Sequence, residues 1–356
     1  MNLLANIISV KMPPDQVYQK ICSQLMHCSS VETRAVTKEA LDLFLPACFK
    51  KDFRPPSSTT GAGATTTPVV VPVWVSIMKS VMMDEIHQSP LYHVFSMLPR
   101  FPNIFFVYRS VFLPLIRSSV NKIITVDVTR QLAADIMEMV IAWAKVVTRS
   151  AGAAAAGAST AAAAVNDETD GDNSATLMTD ASETRACRPI TVHGAEPMDT
   201  GVFDLIRPLM EMPAADPQAA AAAALEMAET AWESLVLLCV RCATEAAQKQ
   251  MQMQQPQQLS EAVVRALALM ADIAKTWGAC PRAIKQLDIL KGVNTYFECV
   301  TYMTVLEIVL SCPVPARRRA VVQHLALLQR LVLFRAEPFQ GLSKSYFELV
   351  QSLLLL

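Results

Sequence analysis

Cys239 and Cys242 form a CxxC, the spacing at which two thiols make a redox pair or supply half of a zinc site. The flanking sequence LVLLCVRCATE reads as a helix interior, and no second CxxC or histidine pair follows, so the bland reading is two small buried apolar residues one turn apart. Asp84, Glu85, His87 and His93 combine carboxylate with imidazole, which can bind a metal or move protons. They lack the paired histidines and intervening glutamate of a metalloprotease helix, and an acidic helix end followed by a turn accounts for them. His27, His193 and His324 join no ligand cluster. A phosphate-cradling glycine loop, a kinase glycine loop with its aspartates, GxSxG and HExxH are all absent, so no catalytic residue, cofactor or metal site is expected.

Charge and sulfur offer contact chemistry instead. Arg100, Arg109, Arg117 and Lys122 could line a ridge that meets acidic partners or phosphate; the competing reading is a solvated helix face. Arg317, Arg318 and Arg319 stand near a helix start, where positive charge opposes the helix dipole, which marks them as a candidate partner contact. No aromatic residues are interleaved with them to stack on bases, and direct nucleic-acid binding is not expected. Met78, Met82, Met83, Met97, Met137 and Met139 could make an adaptable groove, or at helical spacing simply fill a core. The net charge of −1 exerts no overall pull toward nucleic acid or acidic membranes.

The elements that must position these groups read as helices. Between Asp127 and Val147, the residues Val128, Leu132, Ile136, Val140, Ala144 and Val147 recur every three to four positions, with charged residues largely between them. With 52% hydrophobic residues, 18% charged, few glycines and few alternating β-branched runs, the chain is predicted to be all-α. Helices are expected near 14–28, 31–50, 73–86, 89–98, 103–120, 127–148, 199–211, 218–247, 259–276, 280–291, 294–311, 315–335 and 342–356. Prolines such as Pro99, Pro102, Pro281 and Pro313 punctuate them. Short turns between successive helices suit a HEAT-like α-solenoid of antiparallel pairs with a loose period of roughly 40 residues.

Three segments fall outside this pattern: a flexible spacer at 54–72, a low-complexity disordered insertion at 149–198, and a Gln-rich loop at 248–258. The expected organisation is therefore HEAT-like helices at 1–53, 73–148 and 199–356. Deleting about Ala151 to Thr191 should barely change stability, since each doubling of loop length costs only about 0.6 kcal/mol. The closing leucines 353–356 end an amphipathic helix without a cap, and leaving them exposed would forgo about 1.5–3 kcal/mol each, so further repeats are expected beyond them. No apolar run approaches the roughly 18 residues of a membrane span, and the start has no basic region of a secretory signal. The nine cysteines are then expected as free thiols in a reducing compartment.

The 127–147 helix also carries a signature: Arg130, Leu132, Ala133, Asp135, Glu138, Val140, Ile141 and Trp143. It resembles a helix in the giant repeat region of the transformation/transcription domain-associated family. ALDLFLPA (40–47), VWVSIMKSVMMDE (73–85) and the block 90–118 with Tyr108, Arg109 and Pro114 are similar to that family's preceding blocks, in the family's order. DTGVFDLIRPLM (199–210) is similar to the helix after the family's own variable insertion. Where the family places an acidic residue after the tryptophan, this chain has Ala144 and Lys145.

The resemblance implies a non-catalytic HEAT-repeat scaffold, related to the phosphatidylinositol-3-kinase-like kinases but with a dead kinase domain. Such proteins sit in SAGA-type histone acetyltransferase complexes in the nucleus and act as transcription coactivators. Their implied partners are transcription activators and acetyltransferase-complex subunits. Two alternatives stay open: the helical arm of an active kinase of that superfamily, with its catalytic domain downstream, or an unrelated HEAT adaptor.

Overall fold

The computed structural model describes residues 15–27, 32–53, 71–83, 94–124, 129–163, 187–197, 199–253 and 261–277. Among these, the secondary structure is helical throughout: α1 (Asp15–Met26), α2 (Arg34–Asp52), α3 (Val73–Met83), α4 (Pro102–Val107), α5 (Arg109–Ile124), α6 (Arg130–Ala163), α7 (Thr200–Glu211), α8 (Pro217–Met253) and α9 (Glu261–Trp277), with one further helical turn at 94–97. The helices expected beyond 278, and the spacer at 54–70, lie outside the described residues.

Local chemistry explains most boundaries. Pro102 opens α4, where its missing amide hydrogen would have had no partner and its fixed φ suits a first helical position. Asp199 caps α7, its Oδ1 accepting the Gly201 amide at 2.9 Å. Asp216 does the same for α8, accepting from Gln218 at 2.9 Å and Ala219 at 3.1 Å, with Pro217 as the first helical residue. The helix expected at 103–120 is two helices, because at Tyr108 the backbone turns to φ −106, ψ 20 and its amide donates to the Phe105 carbonyl instead of continuing the α ladder. Pro46, Pro114 and Pro208 lie inside helices, where each removes one amide donor.

Two other boundaries differ from the sequence reading. The helix expected to stop near 148 runs on to Ala163, and that near 247 to Met253. In both cases strong helix formers, alanine in one and Gln and Met in the other, prolong a helix that is already nucleated. Residues 187–197, which the reading placed in a disordered insertion, are an ordered strap with buried Ile190 and Val192, so a deletion from Ala151 to Thr191 would remove helix and a packed residue and not only a loop. The remainder of that insertion, 164–186, lies outside the described residues.

The chain divides into two compact units. Unit 1 comprises Met1–Ile116 and Lys145–Ala222. Its core is aromatic: Trp74 meets Tyr108 edge-on at 5.3 Å and Phe105 at 6.0 Å, Phe105 meets Phe112 at 5.1 Å, and Phe49 stacks on Phe53 at 4.8 Å. Edge-to-face pairs of this kind add about 0.5–1.5 kcal/mol each to the burial of the rings. Within it α1 packs on α2 and α3, and α7 on α2 and α4.

Unit 2 comprises Arg117–Ala144 and Ala223–Leu356. Its described core takes Ile136, Met137, Val140 and Trp143 from α6, Trp232, Leu235, Val236 and Cys239 from α8, and Ala266, Met270 and Ile273 from α9, all buried. No helix of the described residues is long and apolar enough to cross a membrane.

Candidate functional site

The polar residues of the 127–147 signature face protein. Arg130 is buried; its Nε donates to the Ile124 carbonyl at 3.2 Å and its Nη2 is ion-paired with Glu245 of α8. The neighbouring Thr129 hydroxyl donates to the Ile123 carbonyl at 2.6 Å. The pair thus satisfies two carbonyls in the last turn of α5, and Arg130 places positive charge where the helix dipole favours it.

Asp135 and Glu138 lie on one face of α6, one turn apart, where two carboxylates repel. Arg265 of α9 resolves this: Nη1 pairs with Asp135 and Nη2 with Glu138. The three side chains are 16%, 28% and 16% exposed for Asp135, Glu138 and Arg265, so the triad is partly desolvated and stronger than a surface pair. Leu132, Val140, Ile141 and Trp143 of the same helix are buried. The signature helix is thereby locked to α8 by Arg130 and to α9 by Asp135 and Glu138.

In unit 1, Tyr108 is buried edge-on to Trp74 and Phe49, and burial, with a smaller contribution from the charge of Asp52, pushes its hydroxyl pKa up to about 12. Arg109 lies over the Phe106 ring, 4.4 Å from its centroid, and donates to the Phe106 carbonyl at 3.1 Å. Desolvation lowers its pKa.

The basic ridge does not stand free. Arg100 is ion-paired with both Asp42 and Glu196, and Arg109 is spent on Phe106. Arg117 and Lys122 of unit 2 are exposed, with Glu226 3.6 Å from Arg117. Arg317, Arg318 and Arg319 lie outside the described residues, as do the acid and histidine groups at 84–93. Met78, Met82, Met97, Met137 and Met139 are buried in their cores, while Met83 is exposed. Cys239 and Cys242 are buried and not joined in a disulfide; burial, then the proximity of Cys242, raises the Cys239 pKa to about 12, the opposite of an activated thiolate. His27 makes a 2.8 Å hydrogen bond between Nδ1 and the Ser23 carbonyl at the end of α1.

The strap at 187–197 is the feature that sequence reasoning missed. Asn103, 2% exposed, reads its backbone with both ends of its amide: Ile190 N–H donates to Oδ1 at 2.7 Å and Nδ2 donates to the Ile190 carbonyl at 3.0 Å. Farther along, the Glu196 amide donates to the Arg100 carbonyl at 2.9 Å, and the Glu196 carboxylate takes Arg100 Nε at 3.2 Å. Between them the chain turns at Gly194, whose φ of +75 suits a residue without a Cβ. Lys50 then pairs with Asp199 at 2.6 Å, fixing the start of α7. The available signal was the alternation in Pro189-Ile190-Thr191-Val192, β-branched residues with inward and outward positions in turn. Among the described residues no group of His, Cys, Asp and Glu side chains could hold a metal ion. These arrangements hold helices and extended backbone in place.

The model of the Tra1 HEAT repeat ring region matches residues 2–345. A protein of Dictyostelium discoideum described as probable transcription-associated protein 1 is 26% identical over 152 residues, which cover 40% of this chain. The chain spans about 3% of the length of that relative. No solved structure matches.

Proposed function

Because the chain belongs to the Tra1 HEAT repeat ring family, we propose that it is a non-catalytic scaffold segment of a nuclear transcription coactivator, binding activators and holding subunits of a histone acetyltransferase complex. The observation that carries this reading is the family match over nearly the whole chain, which identifies a helical-repeat region and not a catalytic domain. The name of the Dictyostelium relative supports a role in transcription.

The clamps give the reading a physical basis. A scaffold works by presenting surfaces at fixed positions, and stacked helices hold position only if each is fixed to the next. Arg265 bridging α9 to α6, and Arg130 bridging α6 to α8, supply such fixing within unit 2. The mechanism is positioning: partner proteins bound along one scaffold meet at high effective concentration.

Affinity purification of the native full-length protein from nuclear extract, with mass spectrometry and a histone acetyltransferase assay, tests the proposal. Acetyltransferase and adaptor subunits should co-purify with activity. Recovery of protein-phosphorylating activity or transport factors in their place would overturn it.

A further inference from the structure

We infer that the strip of unit 1 formed by Arg100 and Asn103 is a docking site for extended peptide segments of partner proteins, with residues 187–197 of the chain acting as its intramolecular occupant. The partner is defined by what the strap shows to fit: an extended backbone, two β-branched or aliphatic side chains at alternate positions, and a carboxylate four residues after the second.

Three observations carry this. Asn103 spends both halves of its buried amide on the main chain of Ile190, a mode of recognition that requires extended backbone and is indifferent to the side chain between the two bonds. Specificity comes from the alternation: Ile190 and Val192 are buried while Thr191 between them is exposed. Arg100 supplies the charge selection at Glu196.

The third observation concerns release. Removing a partner from a buried charge is normally prohibitive, but Arg100 is also paired with Asp42 of α2. When Glu196 leaves, the guanidinium keeps a carboxylate. Exchange of the strap for a peptide of like chemistry then conserves every bond at the site, and the tethered occupant sets a threshold that only a matching or multiply attached partner exceeds. The inference rests on the scaffold reading, of which it names one partner surface.

The test is fluorescence anisotropy with a labelled synthetic peptide of residues 187–197, titrated against the whole chain and against an Ile190→Asp/Val192→Asp variant whose strap is released. The released variant should bind the peptide more tightly than wild type by the ratio of the tether's effective concentration, on the order of millimolar, to the peptide's own Kd, which is about 100-fold for a Kd of about 10 μM. A peptide N-methylated at Ile190, which cannot donate to Asn103, should lose at least about tenfold in affinity, a tenfold loss being 1.4 kcal/mol. Equal binding of the N-methylated peptide, no binding by a variant that keeps its helical circular dichroism, or loss of that helical signal on release would each overturn the inference, the last by making the strap part of the core. In wild type, the Ile190 amide should exchange its hydrogen faster than amides of α5; equal protection would also overturn it. None of these outcomes touches the co-purification result, so the two readings fail separately.

Discussion

Asp199 does two jobs with one carboxylate, capping α7 through Gly201 and pairing with Lys50. Asp199→Ala should therefore cost about 0.5–2 kcal/mol and Asp199→Asn, which keeps the cap, only about a few tenths, because the ion pair is half exposed; thermal unfolding of both variants checks this. The hydrogen bond from Lys50, then that from Gly201, lowers the Asp199 pKa below its ordinary 3.8. Its contribution is present above 3.8 and lost as pH falls through the lower folded value, so the gap between wild type and Asp199→Asn should close in acid. Asp42 has the opposite sign: burial raises its pKa against the lowering effect of Arg100, so its favourable contribution is full below 3.8 and lost as pH rises through the folded value. Burial, with some help from Asp52, raises the Cys22 thiol to about 12, and burial with Cys242 does the same for Cys239. Both should resist alkylation in the native chain and react on denaturation, as peptide mass mapping would show. Trp143 is fully buried, and Trp143→Ala should cost about 3–5 kcal/mol; an unchanged unfolding midpoint would contradict its packing role. Its position was legible because bulk and helical period agree there, whereas Arg265 was not, since its carboxylates lie about 130 residues away and no local pattern announces a non-local ion pair.

Among the elements, α6 shows most plainly what periodicity can and cannot reveal. Its first part alternates large apolar and charged residues, so the stripe is visible in the sequence. Its continuation to Ala163 is nearly all alanine with Gly152 and Gly157, where no contrast exists to carry a period, and helix propensity decides instead. Gly152 has nothing near the place a Cβ would occupy, so Gly152→Ala should stabilise the helix by about 0.5–1 kcal/mol, a gain that denaturant titration would register. The Arg265 triad makes the converse prediction. Arg265→Met strands two partly buried carboxylates one turn apart and should cost about 1–3 kcal/mol, between the values for exposed and buried pairs. Adding Asp135→Asn and Glu138→Gln should recover most of that loss; a triple variant no more stable than Arg265→Met would mean that packing, not charge, holds α9. The strap escaped the sequence reading because its bonds to Asn103 and Arg100 reach across about 90 residues, while its flanking composition is that of a loop.

At the scale of the molecule, helical class was legible from composition and period, and membership of the Tra1 HEAT repeat ring family agrees with the family resemblance read from the N-terminal half. The division into two units was not, because long helices contribute residues to both: α6 gives Arg130–Ala144 to one and Lys145–Ala163 to the other, and no break in its sequence marks the change. A transcription-associated scaffold was legible only through resemblance, since a scaffold's chemistry is spread over surfaces and no constellation of reactive groups announces it. Binding of protein partners by these surfaces is tested most directly by cross-linking mass spectrometry on the native full-length assembly. Lys38 and Lys79 of unit 1 and Lys122 of unit 2 are exposed and reactive toward amine cross-linkers. Cross-links from these lysines to activators or to acetyltransferase-complex subunits are the predicted result. An intact assembly in which this chain links only to itself, or to a functional kinase domain and its substrates, would contradict it.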